Sequence, residues 1–151
     1  MAEHSSLIPY LVVSNAAAAI DFYKTAFDAV ELNRHKAPHD DRIMHAHLQI
    51  NGADFMLSDD FSEKMKMHRE TPEALGGSPV TLALTVPNAH DLWAAATGAG
   101  AVVTMELKEQ FWGDLYGQLR DPFGHKWSVS QTVKHVDPAE FAEKAARAFD
   151  E

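Results

Sequence analysis

The sequence predicts an α+β fold: two βαβββ modules forming an eight-stranded mixed, curved sheet around a cavity, plus a C-terminal helix. Three observations carry this expectation. A strand, cap and helix pattern occurs twice, at Val13-Ser14-Asn15-Ala16 and at Val86-Pro87-Asn88-Ala89. Each half then continues with three further strand-like segments in the same order. A strong helix start at Asp137-Pro138-Ala139-Glu140 follows the second half.

In the first half, Leu7 to Val13 is apolar and rich in β-formers, and Ser14-Asn15 supplies helix N-cap residues. Ala16 to Ala26 reads as a helix, with Ile20, Tyr23 and Phe27 at helical spacing. In the second half, Thr81 to Val86 is the matching strand and Ala89 to Thr97 the matching helix. Asp28-Ala29-Val30 lines up with Ala101-Val102-Val103 at the same offset, so both helices lead into a strand. Met44 to Ile50 alternates sharply, Asn51-Gly52 is a hairpin signal, and Asp54 to Ser58 follows as a strand. Asp114 to Arg120 alternates likewise, Asp121-Pro122-Phe123-Gly124 makes the turn, and Lys126 to Ser130 closes the second half.

The modules are therefore read as residues 1–60 and 79–131, joined by a partly structured linker over 61–78 and followed by a helical tail over 132–151. In the tail, Phe141, Ala145 and Phe149 fall four apart and form a narrow apolar stripe. The stripe suits packing on its own domain or a dimer contact.

Composition narrows the function. A net charge of −9 and the absence of a basic run argue against nucleic acid as a partner. No apolar run approaches membrane-spanning length, and Met1 to Ser6 lack a leader pattern, so a cytoplasmic protein is expected. With no cysteine, disulfides, thiolate metal sites and cysteine nucleophiles are excluded. No Ser-His-Asp order, phosphate-binding loop or dinucleotide glycine pattern occurs.

Certain motifs resemble a known family. Ile8-Pro9-Tyr10-Leu11-Val12-Val13, followed by Ala19-Ile20-Asp21-Phe22-Tyr23, resembles the first strand and helix of the glyoxalase/bleomycin resistance/dioxygenase (vicinal oxygen chelate) superfamily. Asp121-Pro122-Phe123-Gly124-His125-Lys126-Trp127 resembles its turn before the last strand. Gly113-Asp114-Leu115-Tyr116-Gly117 and Met44-His45-Ala46-His47 resemble its PhnB-like branch. The resemblance runs from about Leu7 to Gln131. It implies the fold above, and homodimers, which would also cover open sheet edges. It leaves activity open, because the superfamily includes isomerases, dioxygenases, epimerases, thiol transferases and drug-sequestering proteins.

Metal-dependent members carry four ligands at positions that the resemblance maps onto Ile8, Met56, Thr81 and Ser128. None of these is an imidazole, carboxylate or thiolate donor. The resemblance thus implies a protein without metal or other cofactor. Residues in phase with those positions should face the cavity. Ile8, Tyr10 and Val12 do so in the first strand. His45, His47 and Gln49 are set against an apolar face of Met44, Ala46, Leu48 and Ile50. Tyr116, Gln118 and Arg120 are set against Leu115, Gly117 and Leu119. The repeat offset matches His45 with Gln118 and His47 with Arg120.

The expected ligand cavity is accordingly lined by Tyr10, His45, His47, Trp112, Tyr116 and Arg120, with Trp112 placed by its loop alone. The His-x-His pair fits a ligand contact, a hydrogen-bonded strand face or a metal pair. Arg120 fits an anion anchor or a surface pair with Asp121. The functional expectation is small-molecule sequestration or sensing. The alternatives are a metal-independent lyase or isomerase with His45 or His47 as base, and a metalloenzyme with relocated ligands.

Overall fold

The computed structural model describes residues 6–150. The leader reading, made on Met1 to Ser6, falls outside that range in all but its last residue. The first module runs β1 (Tyr10–Val13), α1 (Ala16–Phe27), β2 (Val30–Lys36), β3 (Ile43–Ile50) and β4 (Ala53–Asp59). The linker holds two single-turn helices, α2 (Ser62–Met65) and α3 (Pro72–Leu75). The second module runs β5 (Thr81–Thr85), α4 (Ala89–Gly98), β6 (Val102–Glu109), β7 (Asp114–Arg120) and β8 (Lys126–Thr132), and α5 (Pro138–Asp150) follows.

The local chemistry explains the element ends. The Asn15 side chain accepts from the Ala18 N–H at the start of α1 (3.1 Å). Asn51 and Gly52 both have positive φ, 49° and 81°, as a tight hairpin of this kind requires. The Asp137 carboxylate accepts from the N–H groups of Ala139 and Glu140 at the start of α5.

The eight strands divide into two four-stranded mixed sheets, ordered β1-β4-β3-β2 and β5-β8-β7-β6. In each, the first pair is parallel and the others antiparallel. The helix-covered faces of the two sheets meet in one core. Tyr23 on α1 lies edge-on to Phe55 of β4 (5.3 Å) and tilts against Trp127 of β8 (5.5 Å). Phe55 and Trp127 also touch directly (5.9 Å). Gly117 lets the Trp93 ring of α4 lie on β7, since a Cβ there would sit 2.5 Å from that ring.

Two expectations are corrected by register. Met44 does not join the apolar, helix-covered face. On β2 the neighbours His35 and Lys36 face His45 and Ile43, so β3 carries one extra residue there, Met44. The bulge turns Ile43 into the core at 1% exposed and leaves Met44 50% exposed. The repeat offset also fails beyond the helices. Tyr10, Met56 and His47 pair across the first sheet as Ala83, Ser128 and Gln118 do across the second. His47 therefore corresponds to Gln118, and His45 to Tyr116. The slip is two residues, so the face assignment survives it.

Candidate functional site

The face of the first sheet opposite α1 carries Tyr10, Val12, His45, His47, Gln49, Asp54, Met56 and Ser58, as the register requires. At the Val12–Ser58 end of this face the chain turns into the linker, and a cleft of about 590 Å³ opens there. Tyr10, Val12 and Ser58 form its floor. Ala37, Pro38 and the bulged Met44 form one wall, and the linker residues Phe61, Met65 and Met67 the other. Lys64, His68 and Glu70 stand at the rim. The volume suits a small organic molecule, and thioethers beside aromatic rings adapt readily to a ligand's shape.

Polar contacts hold the walls. The Asp59 carboxylate is buried and accepts from the N–H groups of Ala16 (2.8 Å) and Ile43 (2.7 Å), which fixes β4 to α1 and β3. Arg42 clasps the linker to the β2–β3 hairpin. Its guanidinium donates to the Asp60 carbonyl (2.7 Å) and Asp40 (2.7 Å), pairs with Glu63 (2.7 Å), and lies 4.3 Å over the Phe61 ring. The Arg42 hydrogen bonds hold the Asp40 carboxyl well below the usual carboxylate range. Phe61 is thereby set as a cleft wall rather than left as a loose loop residue.

The six sequence-predicted residues separate into two groups. Tyr10 lines the cleft, and its hydroxyl is hydrogen-bonded to His45 Nδ1 at 3.0 Å. The His35 and His45 rings stack at 6.2 Å. Burial, and then the His35 and His47 rings, push the His45 imidazole below its usual value, so it is neutral near pH 7. His47 is buried and donates from Nε2 to Asp54 (2.9 Å), and the same carboxylate oxygen accepts from Gln49 (2.8 Å).

The second group lies on the other sheet. Trp112 stands edge-on to Phe111 (5.0 Å) and to Tyr116 (5.6 Å), and the Tyr116 hydroxyl accepts from Gln118 (3.0 Å). Phe111 in turn tilts against Phe141 of α5 (5.4 Å). Arg120 is exposed, opposite Val102 and Lys126. It does not pair with Asp121, whose buried carboxylate turns inward to Tyr23, Trp127 and the N–H groups of Phe123 and His125. Among the described residues, no hydrogen bond or ring contact runs from Tyr10 or His45 to Trp112, Tyr116 or Arg120. Of the six, only Tyr10 lines the large cleft.

Sequence reasoning missed the linker wall. A signal was present: Phe61, Met65 and Met67 are bulky apolar residues set among polar ones at the start of the connector. Periodicity cannot assign them a face, because α2 is one turn long.

The positions onto which the family resemblance maps metal ligands do not offer donors suited to a divalent ion. Met56 lies beside Tyr10 on the first sheet, and Thr81 and Ser128 share a face of the second. Hydroxyls and a thioether are poor donors for zinc or iron. Among the described residues, no three histidine, aspartate or glutamate groups come together as a metal-binding set. No helix among them is long and apolar enough to cross a membrane.

Comparison with known proteins agrees with this architecture. A Mycobacterium bovis protein, Mb0911c, is 49% identical over 132 residues, spanning 87% of this chain and 86% of its own. A Mycobacterium tuberculosis protein, Rv0887c, is 49% identical over the same length and is covered to 77%. The crystal structure of TioX from Micromonospora sp. ML1 superposes with a TM-score of 0.64 at 20% identity, over 87% of this chain and 100% of that one. A PhnB protein from Bacillus cereus superposes with a TM-score of 0.63 at 18% identity, over 84% and 99%. The family model described as Glyoxalase/Bleomycin resistance protein/Dioxygenase superfamily matches residues 5–129. The chain, most of whose length that match spans, belongs to this superfamily.

Proposed function

We propose that this protein binds a small, largely apolar molecule without the help of a metal ion, in the manner of the bleomycin-resistance members of its superfamily, and so sequesters or senses it. The observation that carries the reading is the cleft of about 590 Å³ walled by Tyr10, Met44, Phe61, Met65 and Met67. Apolar walls with few polar anchors are the usual make-up of a small-molecule site. The protein acts in the cytoplasm as a homodimer, with no nucleic-acid or membrane partner. The sheet faces bearing His45 and Tyr116 contribute further ligand contacts in that assembly.

The test is a fluorescence titration with Nile red, a neutral apolar dye, after dialysis against EDTA. The wild type should bind saturably. A Met65→Glu/Met67→Glu variant should bind on the order of tenfold more weakly, because charge replaces apolar wall at two exposed positions that the fold does not need. Equal affinity in the two proteins, or binding that needs added metal, would count against the proposal.

A second reading is favoured by one contact. The Tyr10–His45 hydrogen bond sits at the cleft edge, and a neutral imidazole can accept a proton. A metal-independent lyase or isomerase would use His45 as its base. Turnover of a bound carbonyl compound, lost in His45→Gln with binding retained, would establish it.

A further inference from the structure

We infer that Met44, Met65 and Met67 form a methionine-oxidation site, at which a peroxide converts the cleft wall from apolar to polar and releases the ligand. The inference rests on the cleft being the binding site.

The chain has six methionines and no cysteine, so thioethers are its softest oxidisable groups. Three of the six line this one cleft. They come from separate places in the chain: the β3 bulge, the end of α2 and the residue after its left-handed cap at Lys66. They are exposed to 50%, 61% and 52%, so a small oxidant reaches each sulfur without unfolding. Met105, 45% exposed on β6, lies outside the cleft and serves as an internal reference.

The chemistry balances with hydrogen peroxide as the named oxidant. The thioether sulfur attacks one peroxide oxygen, the O–O bond breaks, and a sulfur–oxygen bond forms. The sulfur loses two electrons, the peroxide gains them, and water leaves with both peroxide protons. The product sulfoxide is polar and can only accept hydrogen bonds. A sulfoxide oxygen keeps water, or a donor of the rim such as Lys64, beside it, which removes apolar surface from the ligand's side.

The experiment treats the full chain with low molar ratios of hydrogen peroxide. It maps sulfoxides by peptide mass spectrometry over time and measures Nile red affinity on the same samples. Met44, Met65 and Met67 should oxidise at least as fast as Met105, and affinity should fall on the order of tenfold as they do. In a Met44→Leu/Met65→Leu/Met67→Leu variant, whatever affinity for the dye it starts from, the same treatment should cause no further loss. Unchanged affinity with all three sulfoxides present would overturn the inference, as would an equal loss in the leucine variant. If the untreated protein does not bind the dye, the proposed function fails. The sulfoxide map then still decides the site, which fails if the three react more slowly than Met105.

Discussion

The Tyr23 hydroxyl donates to the Asp121 carboxylate across 2.5 Å, joining the first module's helix to the second module's β7–β8 turn. Asp121 also accepts from Trp127 Nε1 (2.8 Å) and from the N–H groups of Phe123 (2.9 Å) and His125 (3.0 Å). Its neighbour His125 donates to the Val12 carbonyl of β1 (2.9 Å). The sequence motif Asp-Pro-Phe-Gly thus does more than make a turn. It supplies a buried acceptor on which the two modules converge.

Tyr23→Phe should destabilise the protein by about 1–3 kcal/mol, the usual cost of leaving a buried carboxylate one donor short. Asp121→Ala should cost about 3 kcal/mol or more, since a hydroxyl, an indole N–H and two backbone N–H groups lose one acceptor together. Urea unfolding of the two variants measures both. A smaller loss for Asp121→Ala than for Tyr23→Phe would contradict this account of the turn.

Alkaline titration tests the same bond differently. Burial, and after it the Asp121 charge, raises the Tyr23 phenol well above its ordinary value of about 10. The folded state therefore holds this proton more tightly than the unfolded chain does. Its contribution is whole below about pH 10 and is lost as the pH rises further. Phenolate absorbance should show one of the three tyrosines ionising only as the protein unfolds. Tyr23→Phe should remove that delayed component.

His45 sets a second pH dependence with its own sign. Its imidazole is held below the ordinary value of about 6.5, chiefly by burial, so folding favours the neutral ring. Its penalty is absent above that value and grows as the pH falls through it. His45→Gln should flatten the decline of stability between pH 7 and pH 5, as measured by urea unfolding at each pH. Parallel declines in variant and wild type would contradict it.

Much of the fold was legible because its signals are local. Asn15, Asn51-Gly52 and Asp137 declare their caps and turn through side-chain chemistry, and β7 shows the period of two at its full observed length. The repeat was legible only as far as the helices. The connections after them differ in length, so one offset cannot carry His45 to its true counterpart, Tyr116. Met44 escaped because a bulge reverses its phase with no glycine to mark it. Phe61 escaped because its place depends on Arg42, nineteen residues earlier, and no periodic pattern encodes that clasp.

The homodimer is open to a direct check. Strands β1, β2, β5 and β6 are sheet edges, and Phe149 of α5 is 89% exposed. Light scattering should give twice the chain mass at micromolar concentration. Deleting residues 138–151 should weaken the dimer if the Phe141, Ala145 and Phe149 stripe contributes to it. A monomeric full-length chain would contradict the expectation.

The most direct measurement of the central claim is a methyl spectrum of the protein with 13C-labelled methionine, taken in EDTA during titration with Nile red. Ligand binding in the cleft predicts saturable shifts at the methyl groups of Met44, Met65 and Met67, with Met105 unmoved. Shifts confined to Met105, or none at any methionine while the dye is bound, would contradict it.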